Sequence, residues 1–395
     1  MRFRVMGLHC WGASLRLKHS FYIMRRIVKS CVGFLSKETV LCVAVILAAV
    51  SCFFVPPSME YISYIDWDTL ALLFSLMAVM RGFQKVGLFE SMGGLLIGRV
   101  NTSMGVMLIL VFLPFLFSML VTNDVALVTF VPFGLIVLRM ADMEKWAVRM
   151  VVLQTAAANL GSMLTPMGNP QNLYLYARSG MGFGEFCMLM LPYVLVSGGC
   201  ILALAAVGRR VRISQTAVSG RMGGMAYFLC CIAGFAGCLL GIFKVIPPVI
   251  IAAAIFVFLL FTDRKLLISV DYSLLGTFTA FFIFIGNVGN IEIFKNFIAY
   301  ILTGHVRIIA VLSSQLISNV PAALLLSGFT DQWRELIVGC NIGGLGTLIA
   351  SMASLISYRL FIKEYPERRG RYFLWFTLCN FGLLAILLLL GCLFN

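Results

Sequence analysis

Apolar residues along this chain come in long unbroken stretches, not in the alternation of a strand or the narrow stripe of a surface helix. Stretches near 39–56, 187–207, 246–262 and 373–394 each reach the ~18 apolar residues that mark a membrane-spanning helix. A transmembrane barrel would instead show ~10-residue alternating segments, and these stretches do not alternate. Between them lie two pairs of apolar arms with polar tips, at 104–139 and 305–328, and two apolar runs interrupted by Gly, Pro and Asn, at 159–172 and 341–354. The pattern predicts an all-α polytopic membrane protein.

Internal repetition organises these pieces. Segment 65–90 aligns without gaps to 270–295, placing Asp66 on Asp271. VTNDVA (121–126) aligns to ISNVPA (317–322) and places Asn123 on Asn319. NLGSMLTPMGNPQNLYLY (159–176) aligns to 341–358, placing Asn159 on Asn341, Gly161 on Gly343 and Thr165 on Thr347. Three matches in one order imply two repeats, each a helix, a helix, a re-entrant hairpin, an interrupted helix and a helix. With the run at 224–243 joining them, about nine spans plus two hairpins are expected. The divisions are a basic cytoplasmic segment 1–38, a first repeat 39–207, a basic linker with a connecting helix 208–245, and a second repeat 246–395.

Charge sets the orientation. Charged residues are 12% of the chain and hydrophobic ones 61%, against roughly 25% charged in soluble domains. The net charge of +14 is concentrated in short groups: residues 2–37, Arg81 to Arg99, Arg139 to Arg149, Arg209 to Arg221, Arg264 with Lys265, and Arg359 to Arg371. All fall on one side if both hairpins re-enter, so the positive-inside rule puts the N-terminus in the cytoplasm and the C-terminus outside. The second repeat is then inverted relative to the first. The location is a cell membrane, inner or plasma, and the basic balance is topological, so nucleic acid is not an expected partner. Residues 1–37 lack an apolar core and cleavage site, so a cleaved signal peptide is not expected. The 12 Cys form no CxxC and the 3 His no ligand set. Neither a hydrolytic triad, HExxH, Walker A nor a dinucleotide fingerprint occurs, so no enzyme and no resident cofactor are expected, only Na⁺ or H⁺ as coupling ion.

Inverted repeats with interrupted helices at matching positions are the signature of secondary transporters. Candidate binding residues therefore lie at the tips and breaks. Thr122, Asn123 and Asp124 form the first tip, where an acid costs about 2.5–3.5 kcal/mol to insert and marks function by default. The competing reading makes Asp124 the N-cap of the returning arm. Asn159, Gly161, Ser162, Thr165, Gly168, Asn169 and Asn172 form the first break. Its neutral oxygens suit Na⁺, while the helix resuming at Pro170 points a positive dipole end that suits an anion. Ser318 and Asn319 form the second tip, and Asn341, Gly343, Thr347 and Ser351 the second break. Candidate Na⁺ ligands are Asn123, Asp124 and Asn159 in one half, Asn319 and Asn341 in the other. Asp66 and Asp271 stand just before apolar runs and read as helix caps.

TNDVALVTFVP, NLGSMLTPMGNPQNL, SNVPAALLL and NIGG together resemble the ion transporter superfamily. That group holds arsenite permeases, D-type sodium/proton antiporters, citrate transporters and divalent anion–sodium symporters. The resemblance spans roughly 39–394, and TND followed by GNPQN is most similar to the arsenite-permease and uncharacterised anion-permease branches. It implies two tips and two breaks enclosing substrate and sodium near mid-membrane, in a homodimer with an elevator-like motion. The tips depart from the Ser-Asn-Thr of divalent-anion symporters: Asp124 and Val320 replace the third hydroxyl, which weakens the case for dicarboxylates. The expected function is secondary active transport of a small inorganic or organic anion, coupled to Na⁺ or H⁺; the alternative is a sodium/proton antiporter that moves no anion.

Overall fold

A computed structural model describes residues 38–207, 211–212 and 223–393. Most of the basic N-terminal segment and of the basic linker, and the last two residues, lie outside the described residues. Those described are helical apart from loops and one isolated bridge, Thr102 to Arg212. The first half opens with α1 (Thr39–Ser51), the one-turn α2 (Tyr61–Tyr64) and α3 (Trp67–Val86). A short α4 (Leu88–Ile97) leads to the hairpin arms α5 (Ser103–Phe117) and α6 (Asn123–Met140). The interrupted helix is α7 (Ala147–Gly161) and α8 (Pro170–Ser179), and α9 (Phe183–Ala206) closes the half. The connecting helix is α10 (Met225–Ile242). The second half runs α11 (Pro248–Thr262), α12 (Arg264–Ile268), α13 (Tyr272–Gly289) and α14 (Glu292–Leu302). Its hairpin arms are α15 (Val306–Ile317) and α16 (Asn319–Ser327), its interrupted helix α17 (Trp333–Ile342) and α18 (Met352–Glu364), and its last helix α19 (Arg369–Leu393).

The protein is an all-α polytopic membrane protein, and its longer elements follow the order the repeat implied, with the short helices α2, α4, α12 and α14 added between them. Among the described residues six helices are long and apolar enough to cross a bilayer singly, or up to seven if α14 and α15, bent by 111°, count as one. The difference from nine has a local cause. α1 and α11 have only 13 and 15 residues, about 20 Å of helix at 1.5 Å per residue, and each interrupted span is split in two. Conversely α6, with 18 residues, is long enough alone, so length does not separate a hairpin arm from a span.

Composition explains the packing. Every residue of α7 except Arg149 is buried; a helix with no polar face and many small residues is one that partners surround. α5, α6, α9, α18 and α19 pack on it, while α1 lies on α13 and α10 and α11 lie on α3. α10, α11 and α19 leave Leu229, Phe261 and Leu389 exposed, an outer surface suited to lipid. Pro114 inside α5 has no N–H to give Leu110 O. The buried Gln154 amide of α7 donates to that oxygen instead, at 2.9 Å, and to Phe130 O at 3.1 Å, tying both arms to the central helix. Asp66 and Asp271 are caps as read: each accepts a backbone N–H at 3.0 Å, from Thr69 and Leu274.

Candidate functional site

The breaks form because helix cannot continue through them. Gly161 ends α7 where a Cβ would stand 2.0 Å from Phe115 O, so only glycine lets α5 come this close. Pro170 then starts α8 at the first helical position, and Asn169 caps it, its Oδ1 accepting from Asn172 N at 3.0 Å. Asn172 Nδ2 donates to Ser162 O and Thr165 O, at 3.2 and 3.3 Å, and Asn169 Nδ2 donates to Ser162 Oγ at 3.2 Å. Ser162 Oγ itself donates to Asn159 O at 2.9 Å. Gly168 crosses the loop, with Ser162 O where its Cβ would be, 2.1 Å away. Thr165 Oγ1 donates to Met119 O in the turn that follows α5. These groups hold the break in shape, and most of their polar atoms are engaged within the protein.

Asn159 is the hub. Its Oδ1 accepts from Asn123 Nδ2 at 3.0 Å and from Ser351 Oγ at 3.1 Å, and its Nδ2 donates to Ser354 Oγ at 3.2 Å. The first tip, the first break and the second break therefore meet on one buried side chain. Asn341, its counterpart, donates to Asn172 Oδ1 at 2.7 Å. Under the repeat alignment Asn172 corresponds to Ser354, so the two crossing bonds are the same bond made twice. Thr347 Oγ1 likewise donates to Gln315 O at 3.3 Å, and Gln315 corresponds to Met119. The duplication thus extends to individual hydrogen bonds.

The second half departs from the first in three places. Asn341 Oδ1 is buried and has no hydrogen-bond partner. Ser318, at the tip, has φ 75° and ψ 154°, a region that side chains other than glycine's rarely enter. The backbone there is held by Asn319 N donating to Ala350 O at 3.0 Å, with Ser318 Oγ 3.4 Å from the same oxygen. The Gln315 amide satisfies Gly343 O and Leu345 O, at 2.8 and 2.9 Å, while accepting from Thr347 N at 2.9 Å.

A cavity of about 100 Å³ lies beside the first tip, room for several waters or one small ion. Of the candidate residues Thr122, Asp124 and Asn169 line it, joined by Arg81, Asp271, Met167 and Pro170. Thr122 occupies the N-cap position of α6, without a side-chain cap bond, and Asp124 lies inside the first turn and not at the cap. The Asp124 backbone N–H is taken by Asn123 Oδ1 at 2.9 Å, and its half-buried side chain faces the cavity. Arg81, Gln315 and Asp271 belong to the site although sequence reasoning gave none of them a binding role. Arg81 reads as one more cytoplasmic basic residue; the signal against that is its place five residues inside the end of α3. Gln315 is a polar residue in an apolar arm, four positions before Asn319.

A citrate transporter family model matches residues 27–330. The chain belongs to the citrate transporter family. It is similar over 317 residues, at 32% identity, to an uncharacterised transporter of Methanocaldococcus jannaschii, covering 80% of this chain and 86% of that protein. It is also similar to the inner membrane protein YbiR of Escherichia coli, 29% identical over 360 residues, 85% of this chain and 92% of that one. A shorter match, 35% identical over 136 residues, is to the silicon efflux transporter LSI3 of Oryza sativa subsp. japonica, covering 34% of this chain and 27% of that protein. A member of this family is a multi-pass membrane transporter, and the two breaks described above bond to each other across its two halves.

Proposed function

We propose that this transporter moves a small anion by secondary active transport, coupled to Na⁺ or H⁺. The observation that carries this reading is the meeting of the first tip and both breaks on Asn159, repeated between the breaks at Asn341, beside a cavity lined by Asp124. A cation is suited by the second break, where the buried Asn341 Oδ1 has no protein donor and a hard ion takes neutral oxygen ligands. Asn319, close behind Gly344, would complete that side. In the first half Asn123 Oδ1 and Asn159 Oδ1 already accept protein hydrogens, which leaves the Asp124 carboxylate to hold a cation or proton. An ionised Asp124 repels an anion strongly across a low-dielectric cavity, so anion binding requires its neutralisation, and that requirement is the coupling. The transporter takes the orientation set by its basic loops, N-terminus in the cytoplasm and C-terminus outside, and works as a homodimer. A sodium/proton antiporter would use the same Asp124 without the anion.

The test is uptake into proteoliposomes of citrate, inorganic phosphate and silicic acid, with Na⁺ and pH gradients imposed separately. Wild type should accumulate an anion down one of these gradients. Asp124→Asn, which keeps shape and hydrogen bonding, should still exchange that anion while losing the cation or pH dependence. Unchanged coupling in Asp124→Asn returns the coupling site to the breaks, and Na⁺/H⁺ exchange with no anion flux favours the antiporter.

A further inference from the structure

We propose that Arg81 is the anion's countercharge: a carboxylate or inorganic oxyanion entering the cavity docks on its guanidinium. The proposal rests on the anion-transport reading and names the group that would confer its charge selectivity. Arg81 lies in α3, five residues before the helix ends at Val86, and its half-buried side chain lines the same cavity as Thr122, Asp124 and Asn169. Its neighbour Lys85 is committed to a different partner, Asp263, at 2.5 Å. Arg81 makes no ion pair among the described residues.

What holds Arg81 is an amide. Its Nη1 donates to Gln84 Oε1 at 3.2 Å. The Gln84 Nε2 is in turn fixed to α6, donating to Thr129 Oγ1 at 2.8 Å and Val125 O at 3.3 Å. The carbonyl end of Gln84 therefore faces Arg81, and the guanidinium is oriented from the helix that carries Asp124 without being neutralised. A planar guanidinium presents paired N–H groups that match two oxygens of a carboxylate or oxyanion.

The repeat sharpens the point. Arg81 corresponds to Gly286 and Asp124 to Val320, so the second half carries neither charge. A basic residue serving only topology has no reason to line a cavity with the one acid at a hairpin tip. Among the described residues, the charged side chains that line the cavity with Asp124 are Asp271 and Arg81. With both acids ionised the cavity carries one positive and two negative charges and rejects an anion. Once a proton or Na⁺ neutralises Asp124, the guanidinium is balanced only by Asp271, itself bound to a helix N-terminus, and an anion is admitted.

The experiment measures initial rates of citrate, inorganic phosphate and silicic acid uptake in proteoliposomes for wild type, Arg81→Gln and Arg81→Lys. Silicic acid is uncharged at neutral pH and reports on transport that needs no countercharge. Arg81→Gln should lose about ten- to hundredfold in kcat/KM for the transported anion, mostly as a raised KM, the size of a lost charge-assisted contact. Arg81→Lys, which keeps the charge but loses the paired N–H geometry, should fall between wild type and Arg81→Gln, and any silicic acid flux should be unaffected in both. Wild-type anion kinetics in a folded Arg81→Gln overturn the proposal and leave the anion reading intact. If Arg81→Gln does not fold, wild-type anion kinetics in a folded Arg81→Met overturn it instead. A wild type that exchanges Na⁺ for H⁺, or moves only silicic acid, overturns the anion reading and this proposal with it.

Discussion

The two helix breaks descend from one pattern but reach closure by different means. The first is built from Pro166, Pro170, Asn169 and Asn172, whose side chains cap and cross-link the loop locally. The second has Leu348, Met352, Ser351 and Ser354 at those positions and borrows Gln315 from the hairpin arm to satisfy its carbonyls. At the first tip Thr122 is in an ordinary extended conformation, φ −64°, while Ser318 at the second has φ 75°. The Asn159 oxygen takes two donors, whereas the Asn341 oxygen takes none. Duplicated backbone geometry thus tolerates divergence in how polar groups are satisfied. The divergence is what makes the two halves chemically unlike: charge and a saturated network on one side, a neutral unpartnered oxygen on the other.

The largest effect should come from filling the glycines. Gly161→Ala puts a Cβ 2.0 Å from a backbone oxygen, Gly343→Ala one 2.7 Å from the Ser314 hydroxyl and 2.8 Å from Gly339 O. The first should cost about 3 kcal/mol or more and the second about 1–2, the range for overpacked sites. Thermal melting in detergent checks the order, and equal losses would mean that the breaks are equally rigid.

Removing the asparagines should have the next largest effect. Asn159→Ala deletes three side-chain hydrogen bonds and should cost about 2–3 kcal/mol at about 1 per bond. Asn341→Ala removes its bonds to Asn172 and Ile337 together with an unsatisfied oxygen, so about 1 kcal/mol is expected. A Na⁺-dependent rise in melting temperature, measured against choline, should be present in wild type and absent from Asn341→Ala, because only a ligand of the folded state stabilises it. Retention of that rise in Asn341→Ala would move the cation away from the second break.

The smallest effect distinguishes the tips. Ser318→Gly should raise stability by about 1 kcal/mol, since it relieves backbone strain of roughly 1–3 against a glycine entropy cost near 0.5–1. Thr122→Gly, with no strain to relieve, should lower stability by about 0.5–1 kcal/mol. A drop in both variants would show that the Ser318 conformation is not strained in the folded protein.

Much of this was legible in the chain itself. Long apolar runs specify the all-α membrane class, and Gly and Pro clusters locate the breaks, because both signals act within a few residues of their effect. The repeat alignment paired Asn123 with Asn319 and Asn159 with Asn341, and it read Asp66 and Asp271 as caps, again a local interaction. What only the tertiary structure decided is which polar atoms are used up. Asn159 is satisfied by Ser351 and Ser354, some 190 residues away, and nothing near Asn341 in the chain announces that its oxygen is left over. Arg81 is indistinguishable in sequence from the basic residues of a cytoplasmic loop, until the packing of α3 beside the first tip turns its side chain into the cavity of Asp124. Local signals fix helices and their interruptions; the chemistry of the site depends on partners that the chain brings together only when it folds.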